Sequence, residues 1–211
     1  ESFAHWIGSG RDERFRHHYF CAFPKATTVE RNPNRVIVGM SGGVDSSVAT
    51  GLLVEQGYDV IGITIKTYKY EDVGGNVGND STCCSLDGIN DARRVALNLG
   101  VPHYTVDFTE TFKEKIIDYI VEAYLAGNTP NPCVRCNREI KWGEMLRKAD
   151  SLGAEYIATG HYASIMVDEQ SGRRWIRRSP DAKKDQSYML WSVRQEHLAR
   201  TIFPLAGFTK P

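Results

Sequence analysis

Net charge, cysteine and long apolar runs are all scarce in this sequence. No apolar run approaches the ~20 residues that a membrane-spanning helix needs, which argues against a transmembrane segment and a membrane partner. The 26 Lys and Arg residues balance the 26 Asp and Glu residues, so any contact with nucleic acid must use a local patch of charge. The 211 residues, 41% of them apolar, are enough for one α/β domain or for a domain plus part of a second.

The five cysteines do not form the pattern of a disulfide framework. Cys21 is isolated, Cys83 and Cys84 are adjacent, and Cys133 and Cys136 are three positions apart. An odd number of cysteines without a secretory signal favours reduced thiols that bind a metal or react. A buried, unreactive thiol is the ordinary alternative for each of them.

The first 34 residues differ from the remainder of the chain. They mix basic and aromatic residues with the acids Glu1, Asp12 and Glu13, whereas an organelle transit peptide should be poor in acids. We interpret residues 1–34 as an N-terminal extension without an assignable function, and residues 35–211 as one domain. We expect a cytoplasmic protein, or an organellar one if the extension is a leader.

From Arg35 onward, short apolar runs alternate with helical patterns of ten or more residues. Strands are predicted at 36–38, 60–65, 104–106 and 156–159, and helices at 46–56, from about 87, through 112–124 and at 140–152. This alternation predicts an α/β fold, a doubly wound, Rossmann-like parallel sheet with helices on both faces and ligands at the carboxyl ends of its strands.

Three further segments are predicted with less regular patterns. Residues 68–82 are polar and rich in glycine, which indicates a long loop of the kind that often covers an active site. Residues 128–137 contain two prolines and two cysteines and are also predicted to be a loop. Residues 164–178 resemble a hairpin, and 194–200 a short helix.

The sharpest local motif is the run GMSGGVDSS at 39–47, between the first strand and the first helix. Glycines let the backbone approach a phosphate closely, and the amino end of the helix adds a favourable dipole. Ser41, Ser46 and Ser47 add hydroxyl donors, so the segment is a candidate anion cradle. A tight turn capped by serine is the alternative. A Walker loop is excluded because no lysine precedes the serines.

A second motif, GNTPNPCVRCNREIKW at 127–142, places two cysteines before a predicted helix. A helix dipole and the neighbouring Arg135, Arg138 and Lys141 are expected to lower the pKa of the Cys136 thiol. A thiolate at that position could carry a persulfide sulfur. The basic side chains also suit a phosphate backbone.

The two motifs together resemble a known family. The loop at 39–47 is similar to the SGGxDSS loop of the N-type ATP pyrophosphatases, which cleave ATP between the α- and β-phosphates. The cysteine segment is similar to the N-P-x-x-x-C-N-x-x-I-K-F/W signature of the bacterial and mitochondrial tRNA-specific 2-thiouridylases, and the match continues in IATGHY at 157–162 and KKDQSY at 183–188. The resemblance implies ATP-dependent adenylation of the wobble uridine 2-oxygen, followed by sulfur transfer from a cysteine persulfide.

Site residues follow from the resemblance, position by position. Cys136 is implied as the catalytic cysteine. ATP would be bound by Gly39, Met40, Ser41, Gly42, Gly43, Val44, Asp45, Ser46, Ile65 and Gly160, with Asp45 on the side of a Mg²⁺ ion. The tRNA would be contacted by Asn131, Pro132, Cys133, His161, Lys184, Asp185 and Gln186. From the residues alone, a histidine at a strand end such as His161 is more often structural than a ligand group, and the lysines at 183–184 are a solvated surface pair.

The implied partners are tRNA and a cysteine desulfurase or sulfur-relay protein. The family's second cysteine is expected beyond Pro211, together with central and carboxyl-terminal domains, so we expect the chain to be a truncated piece. We predict no metal site formed by protein side chains alone. One departure from the family matters here: many members have aspartate where this chain has Cys133. The resulting C-x-x-C, with Cys83 or Cys84, could instead hold zinc or an iron–sulfur cluster.

Three other functions stay open on the sequence. The chain could be another N-type ATP pyrophosphatase, such as an amidotransferase-type synthetase, which would leave the cysteine motif without a purpose. It could be an iron–sulfur-dependent tRNA thiolase. It could also be a binding module that holds tRNA or nucleotide without catalysis.

Overall fold

The computed structural model of the chain describes residues 29–68 and 86–210. Five parallel strands form a sheet with the order β3-β2-β1-β4-β7. These strands are β1 (Asn32–Gly39), β2 (Asp59–Lys66), β3 (His103–Asp107), β4 (Ala154–Thr159) and β7 (Thr201–Ile202). Two further strands, β5 (Ala163–Val167) and β6 (Arg174–Arg178), form a separate antiparallel hairpin.

Helices connect the strands. α1 is Val44–Glu55 and α2 is Leu86–Asn98. α3 covers residues 109–125 and contains a π-helical segment at Lys113–Ile117. α4 covers residues 132–151: it begins as Pro132–Cys136, continues as a π-helical segment at Asn137–Glu144 and ends as Met145–Ser151. A 3₁₀ turn at Ser187–Leu190 and the short α5 (Gln195–Leu198) follow.

Both faces of the sheet are covered, as the alternation of side chains in β1 shows. Val36 and Val38 are fully buried in a cluster with Leu53 of α1 and with Ala92 and Ala96 of α2. The side chain between them, Ile37, points to the opposite face, where it packs with Trp142, Met145 and Leu146 of α4. Since side chains of a strand alternate between its faces, the sheet lies between two helical layers, and the predicted doubly wound fold is confirmed.

Most predicted elements have counterparts in the structure. All four predicted strands are present, and the helices predicted at 46–56, near 87 and through 112–124 correspond to α1, α2 and α3. The predicted hairpin is β5–β6, and Gly172 in its turn has φ 67°. The first strand already begins at Asn32, inside the predicted extension. Residues 1–28 of that extension, and residues 69–82 of the predicted active-site loop, lie outside the described residues.

The prediction of a loop through residue 137 was wrong, because α4 begins at Pro132. Proline is tolerated in the first turn of a helix, where its missing N–H would have had no helical partner. The Asn131 side chain caps this end by accepting a hydrogen bond from the Val134 backbone N–H at 3.2 Å. Cys136 therefore lies in the second turn of a helix, whereas the sequence placed it ahead of one.

Within residues 29–68 and 86–210, we find no helix with the length and apolar character that crossing a bilayer would require.

Candidate active site

The sheet reverses its winding between β1 and β4. The chain runs outward from β1 to β2 and β3 on one side, and from β4 to β7 on the other. In doubly wound folds, the crevice outside the carboxyl ends of two such strands is where ligands bind. Here that crevice is bordered by residues 40–43 after β1 and by Gly160 after β4.

The loop after β1 is braced from inside by hydroxyl groups. The Ser46 hydroxyl accepts a hydrogen bond from the Ser41 backbone N–H at 3.2 Å and donates one to the Gly43 carbonyl at 3.0 Å. The Ser47 hydroxyl donates to the same carbonyl at 3.0 Å. The residue at the N-cap of α1 is Gly43, and no side chain caps this end of the helix. Its first backbone N–H groups therefore suit an anion.

The start of the loop is fixed to the sheet. The Met40 backbone N–H donates to the Ile63 carbonyl at 2.8 Å, and the Met40 carbonyl accepts from the Thr64 hydroxyl at 2.9 Å. The Met40 side chain is 3% exposed and belongs to the core between the sheet and α1 and α2. Met40 therefore positions the loop through its backbone, while its side chain packs away from the crevice.

Two glycines allow close approaches around the loop. A Cβ atom on Gly160 would lie 2.8 Å from the Asp45 carbonyl carbon and the Ser46 nitrogen, so the end of β4 packs directly on the first turn of α1. Gly42 has φ +81°, and a Cβ there would lie 2.3 Å from the Gly88 carbonyl oxygen of α2. The glycines at 42 and 160 are thus required by the packing around the crevice.

Asp45 makes two contacts that the sequence did not reveal. Its Oδ1 accepts a hydrogen bond from the Tyr162 hydroxyl at 3.1 Å and forms an ion pair with the Lys210 ammonium at 2.8 Å. The contact between Lys210 and Asp45 raises the pKa of Lys210. The pKa of Tyr162 is raised mainly by burial and also by its hydrogen bond to Asp45. Tyr162 lies in the IATGHY motif, but the sequence predicted no role for it, and nothing local distinguishes Lys210.

The two cysteines of α4 have different surroundings. Cys133, in the first turn, is exposed, and Cys136 is half-buried. Arg135 does not act as a neighbour of the thiol: its Nε donates to the Lys115 carbonyl at 2.9 Å, and its guanidinium lies 4.1 Å from the centre of the Tyr119 ring. Arg138 forms an ion pair with Glu139 at 2.8 Å. The expected group of cations around Cys136 is therefore largely committed to other partners.

Two hydrogen bonds join α4, which bears both cysteines, to the segment that follows the hairpin. The buried Asn137 side chain donates to the Met189 carbonyl at 2.9 Å, and the Ser192 hydroxyl donates to the Val134 carbonyl at 3.3 Å. Asn137 directly follows Cys136. The position of the thiol is thus coupled to residues 189–192.

The run 184–186, predicted to contact tRNA, has partly structural roles. The Asp185 carboxylate accepts hydrogen bonds from Arg178 and from the backbone N–H of Ser179 and Ser187. Gln186 exchanges two hydrogen bonds with Tyr162, at 3.0 and 3.1 Å. Lys184 is exposed. Asp185 and Gln186 therefore shape this segment, and Lys184 extends into solvent.

His161 lies in an aromatic setting next to Gly160. Its ring centre is 5.7 Å from that of Trp142 and 6.3 Å from that of Phe203, and its Nδ1 lies 2.6 Å from the Thr159 hydroxyl oxygen. Burial, assisted by the positive charge of Lys141, holds the pKa of His161 well below its ordinary value. The ring is therefore neutral at physiological pH. It lies between Gly160, at the edge of the crevice, and Trp142 of α4.

We expect the low pKa of His161 to make the fold sensitive to acid. Below about pH 6.5 the unfolded state binds a proton that folded His161 resists, so the free energy of unfolding falls by up to about 1.4 kcal/mol per pH unit. His161→Gln should flatten this fall, as measured by urea unfolding between pH 7 and 5. The pKa values of His103 and His197 are also lowered, mainly through burial. Both histidines are present in the wild type and in the variant, so they do not contribute to the difference between the two slopes. Equal slopes for both proteins would contradict the assignment.

A series of contacts links the predicted nucleotide site to α4, the helix that bears Cys136. Asp45 and Ser46 meet Gly160, His161 meets Trp142 of α4, and Tyr162 meets Gln186. The half-buried Ile65, predicted beside adenine, lies at the carboxyl end of β2 next to β1. In the described part of the chain, no three His, Cys, Asp or Glu side chains are placed to hold a metal ion together.

The chain is similar to known proteins over most of its length. The chain matches the profile of the family described as "tRNA methyl transferase HUP domain" over residues 34–211. It is 55% identical over 179 residues to the tRNA-specific 2-thiouridylase MnmA of Desulfitobacterium hafniense, covering 83% of this chain and 46% of that protein. With the protein of the same name from Salinibacter ruber it shares 53% over 177 residues, 84% of this chain and 46% of the relative.

A solved structure, described as a predicted subunit of tRNA methyltransferase from Methanocaldococcus jannaschii, has 22% sequence identity and a TM-score of 0.47 over 83% of this chain and 69% of that one. The chain spans about half the length of the curated relatives that it matches. The family match, by contrast, extends from the first strand to the last residue. The chain therefore belongs to the tRNA methyl transferase HUP domain family.

Proposed function

We propose that the protein containing this chain is a tRNA-specific 2-thiouridylase, which uses ATP to replace the 2-oxygen of the wobble uridine with sulfur. The observation that carries the proposal is the uncapped amino end of α1, packed through Gly160 and His161 against the helix that bears Cys136. The names of relatives at 53–55% identity support it. An anion site and a thiol on adjoining elements are what adenylation followed by sulfur transfer requires.

In the first step, the uridine 2-oxygen attacks the α-phosphorus of ATP and pyrophosphate leaves. The backbone N–H groups and hydroxyls of residues 39–47, with Ile65 and Gly160 beside the nucleotide, would hold ATP in line for this attack. Asp45 is a single carboxylate, which suits Mg²⁺ because that ion is usually held by one or two carboxylates plus phosphates. Mg²⁺ bound there would neutralise phosphate charge. A flipped uridine is needed for the 2-oxygen to reach the nucleotide.

In the second step, the terminal sulfur of a persulfide on Cys136 attacks C2 of the adenylated uridine, and AMP leaves with the former 2-oxygen. The remaining disulfide between Cys136 and the new sulfur is broken by a second thiol, which the family places farther along the chain. That thiol becomes disulfide-bonded to Cys136, and the 2-thiouridine sulfur is released. A cysteine desulfurase or sulfur-relay protein would supply the persulfide.

The tRNA would be held beside the thiol. We propose that Asn131, Pro132 and Cys133 contact the target base, because they form the first turn of the helix that carries Cys136. We also propose that His161 and the run 184–186 contact the tRNA. Such a protein would work in the cytoplasm, or in an organelle if residues 1–34 are a leader.

The test is formation of 2-thiouridine by the full-length protein. It is incubated with ATP, Mg²⁺, a sulfur donor and unmodified tRNA, and the digested tRNA is analysed by mass spectrometry. We expect 2-thiouridine that depends on ATP and on Cys136. Release of pyrophosphate without thiolated tRNA would instead indicate another acceptor, such as the substrate of an amidotransferase-type synthetase, and would overturn the proposal.

An iron–sulfur-dependent thiolase is the second candidate, because Cys133 and Cys136 lie one turn apart on α4. A cluster would need a further ligand from outside the described residues, such as Cys83 or Cys84. Protein purified without oxygen would then absorb visible light and contain iron and sulfide. The persulfide proposal predicts a colourless protein whose activity is unaffected by iron chelators.

Lys210 offers a test of the phosphate site. Without its ammonium group, and with no Mg²⁺ present, the Asp45 carboxylate would face the bound phosphates uncompensated. Lys210→Met should therefore weaken Mg²⁺-free ATP binding by about 2- to 5-fold, the size expected of a partly exposed ion pair. Lys210→Arg keeps the charge and should bind nearly as well as the wild type. Isothermal titration calorimetry at low salt measures both, and equal affinities for all three proteins would contradict the role of the pair.

A further inference from the structure

The chain is neutral as a whole, but one segment of it is strongly basic. Residues 173–184 contain six cations and one acid, Asp181. The cations are Arg173, Arg174, Arg177, Arg178, Lys183 and Lys184. A nucleic-acid partner of a neutral protein needs a local patch of this kind, and half of its cations, Arg174, Arg177 and Arg178, lie on β6 of the hairpin.

The hairpin presents one face to the core and the other to solvent. Ile165 and Ile176 are paired across the strands and pack against the core. Because side chains alternate along a strand, the pairs Met166–Trp175 and Ser164–Arg177 lie on the opposite face. We call Ser164, Met166, Trp175 and Arg177 the hairpin outer face.

The hairpin outer face combines aromatic surface with positive charge. Trp175 is 50% exposed and Met166 49% exposed, although both are large and apolar. The Arg173 guanidinium lies over the Trp175 ring, 4.6 Å from its centre. Aromatic rings flanked by arginine are how proteins stack unpaired bases while neutralising the neighbouring phosphates.

The base of the hairpin adjoins the segment proposed to contact tRNA. The Arg178 Nε atom donates to the Asp185 carboxylate at 3.0 Å, which fixes the base of the hairpin to residues 184–186. An open cleft of about 460 Å³ adjoins this junction. It is lined by Ser164, Arg177, Arg178, Ser179, Pro180 and Ala206. Two residues of the hairpin outer face, Ser164 and Arg177, thus line the same cleft as Arg178, which is bonded to Asp185.

We propose that the hairpin outer face is an RNA-binding surface that extends the tRNA footprint beyond residues 184–186. Trp175 stacks on an unpaired base of the tRNA, and Arg173 and Arg177 contact the phosphates on either side of it. The inference rests on the proposed function, which supplies tRNA as the ligand. It adds the chemistry of the contact: stacking on one indole ring and charge neutralisation by two guanidinium groups.

The experiment measures the affinity of the full-length protein for unmodified tRNA by fluorescence anisotropy over a range of salt concentrations. Trp175→Ala should weaken binding about 10-fold, because one base can no longer stack. The double variant Arg173→Ala, Arg177→Ala should weaken it further and lower the slope of log K against log salt by about 1 for each phosphate that is no longer neutralised. Two matched controls, Tyr104→Ala and Arg94→Ala, remove an aromatic ring that is 51% exposed and an exposed arginine elsewhere in the fold.

Thermal unfolding and ATP binding show that each variant is folded. Weaker tRNA binding in the hairpin variants but not in the controls supports the inference. Unchanged tRNA affinity in the hairpin variants overturns it and leaves the proposed function standing. A loss of thiolation that arises only when a protein supplies the sulfur also overturns the inference, because it would mean that the surface binds that protein. A wild-type protein that binds no tRNA overturns the proposed function itself.

Discussion

Cys136→Ser is expected to reduce 2-thiouridine formation by at least about 1,000-fold, the order of loss seen when a covalent nucleophile is removed. Serine is nearly isosteric with cysteine but cannot carry a persulfide. The half-buried position of Cys136, next to the anchored Asn137, gives the sulfur a fixed place. ATP binding, measured by calorimetry, should stay within about 2-fold of the wild type.

Cys133 provides the matched control, because it lies one turn away on the same helix and is exposed. Cys133→Ser should retain sulfur transfer with a partial loss, because the Cys133 side chain is proposed to contact the target base. Full thiolation by Cys136→Ser would contradict the persulfide proposal. Equal and complete loss in both variants would favour a cluster or a metal held by the pair.

Gly42→Ala should lower the rate of pyrophosphate release by about 100-fold or more, the cost of displacing a reacting group by about 1 Å. An alanine Cβ at this position would lie 2.3 Å from the Gly88 carbonyl oxygen, and the residue would also be held at φ +81°. The loop and α2 must move apart to make room, and the loop then no longer fits the phosphates.

Gly57→Ala is the control for Gly42→Ala, because it adds backbone strain without a steric clash. Gly57 has φ +82°, but a Cβ there would have no atom within 4 Å. This variant should lose about 1–2 kcal/mol of stability from the left-handed conformation alone and keep its pyrophosphate release. Thermal unfolding and a pyrophosphate assay on both variants make the comparison. If Gly42→Ala behaves like Gly57→Ala, residues 39–47 do not form the phosphate site.

The fold could be predicted because its signals are local. The apolar run at 36–38, the glycines after it and the alternation of strands and helices are each visible within a few residues, and all three have counterparts in the structure. The start of α4 could not be predicted in the same way. Two prolines and two cysteines suggested a loop, but Pro132 occupies the one helical turn that tolerates it, with Asn131 as its cap.

The contacts around Asp45 were beyond sequence reasoning for a different reason. Lys210 is separated from Asp45 by 165 positions, and Tyr162 by 117. Only the folded sheet brings the segments that follow β1, β4 and β7 together, so no pattern in the sequence pairs these residues. The same holds for Arg135, whose charge suggested a neighbour of Cys136 but whose guanidinium lies over Tyr119 on α3.

The central claim is that the uridine 2-oxygen is adenylated before sulfur replaces it. It can be tested with a tRNA anticodon stem-loop that carries ¹⁸O at C2 of the wobble uridine, incubated with the full-length protein, ATP, Mg²⁺ and a sulfur donor. The account predicts one ¹⁸O atom in the AMP released for each 2-thiouridine formed. Thiolated RNA accompanied by unlabelled AMP would contradict it, because the oxygen would then have left by another route.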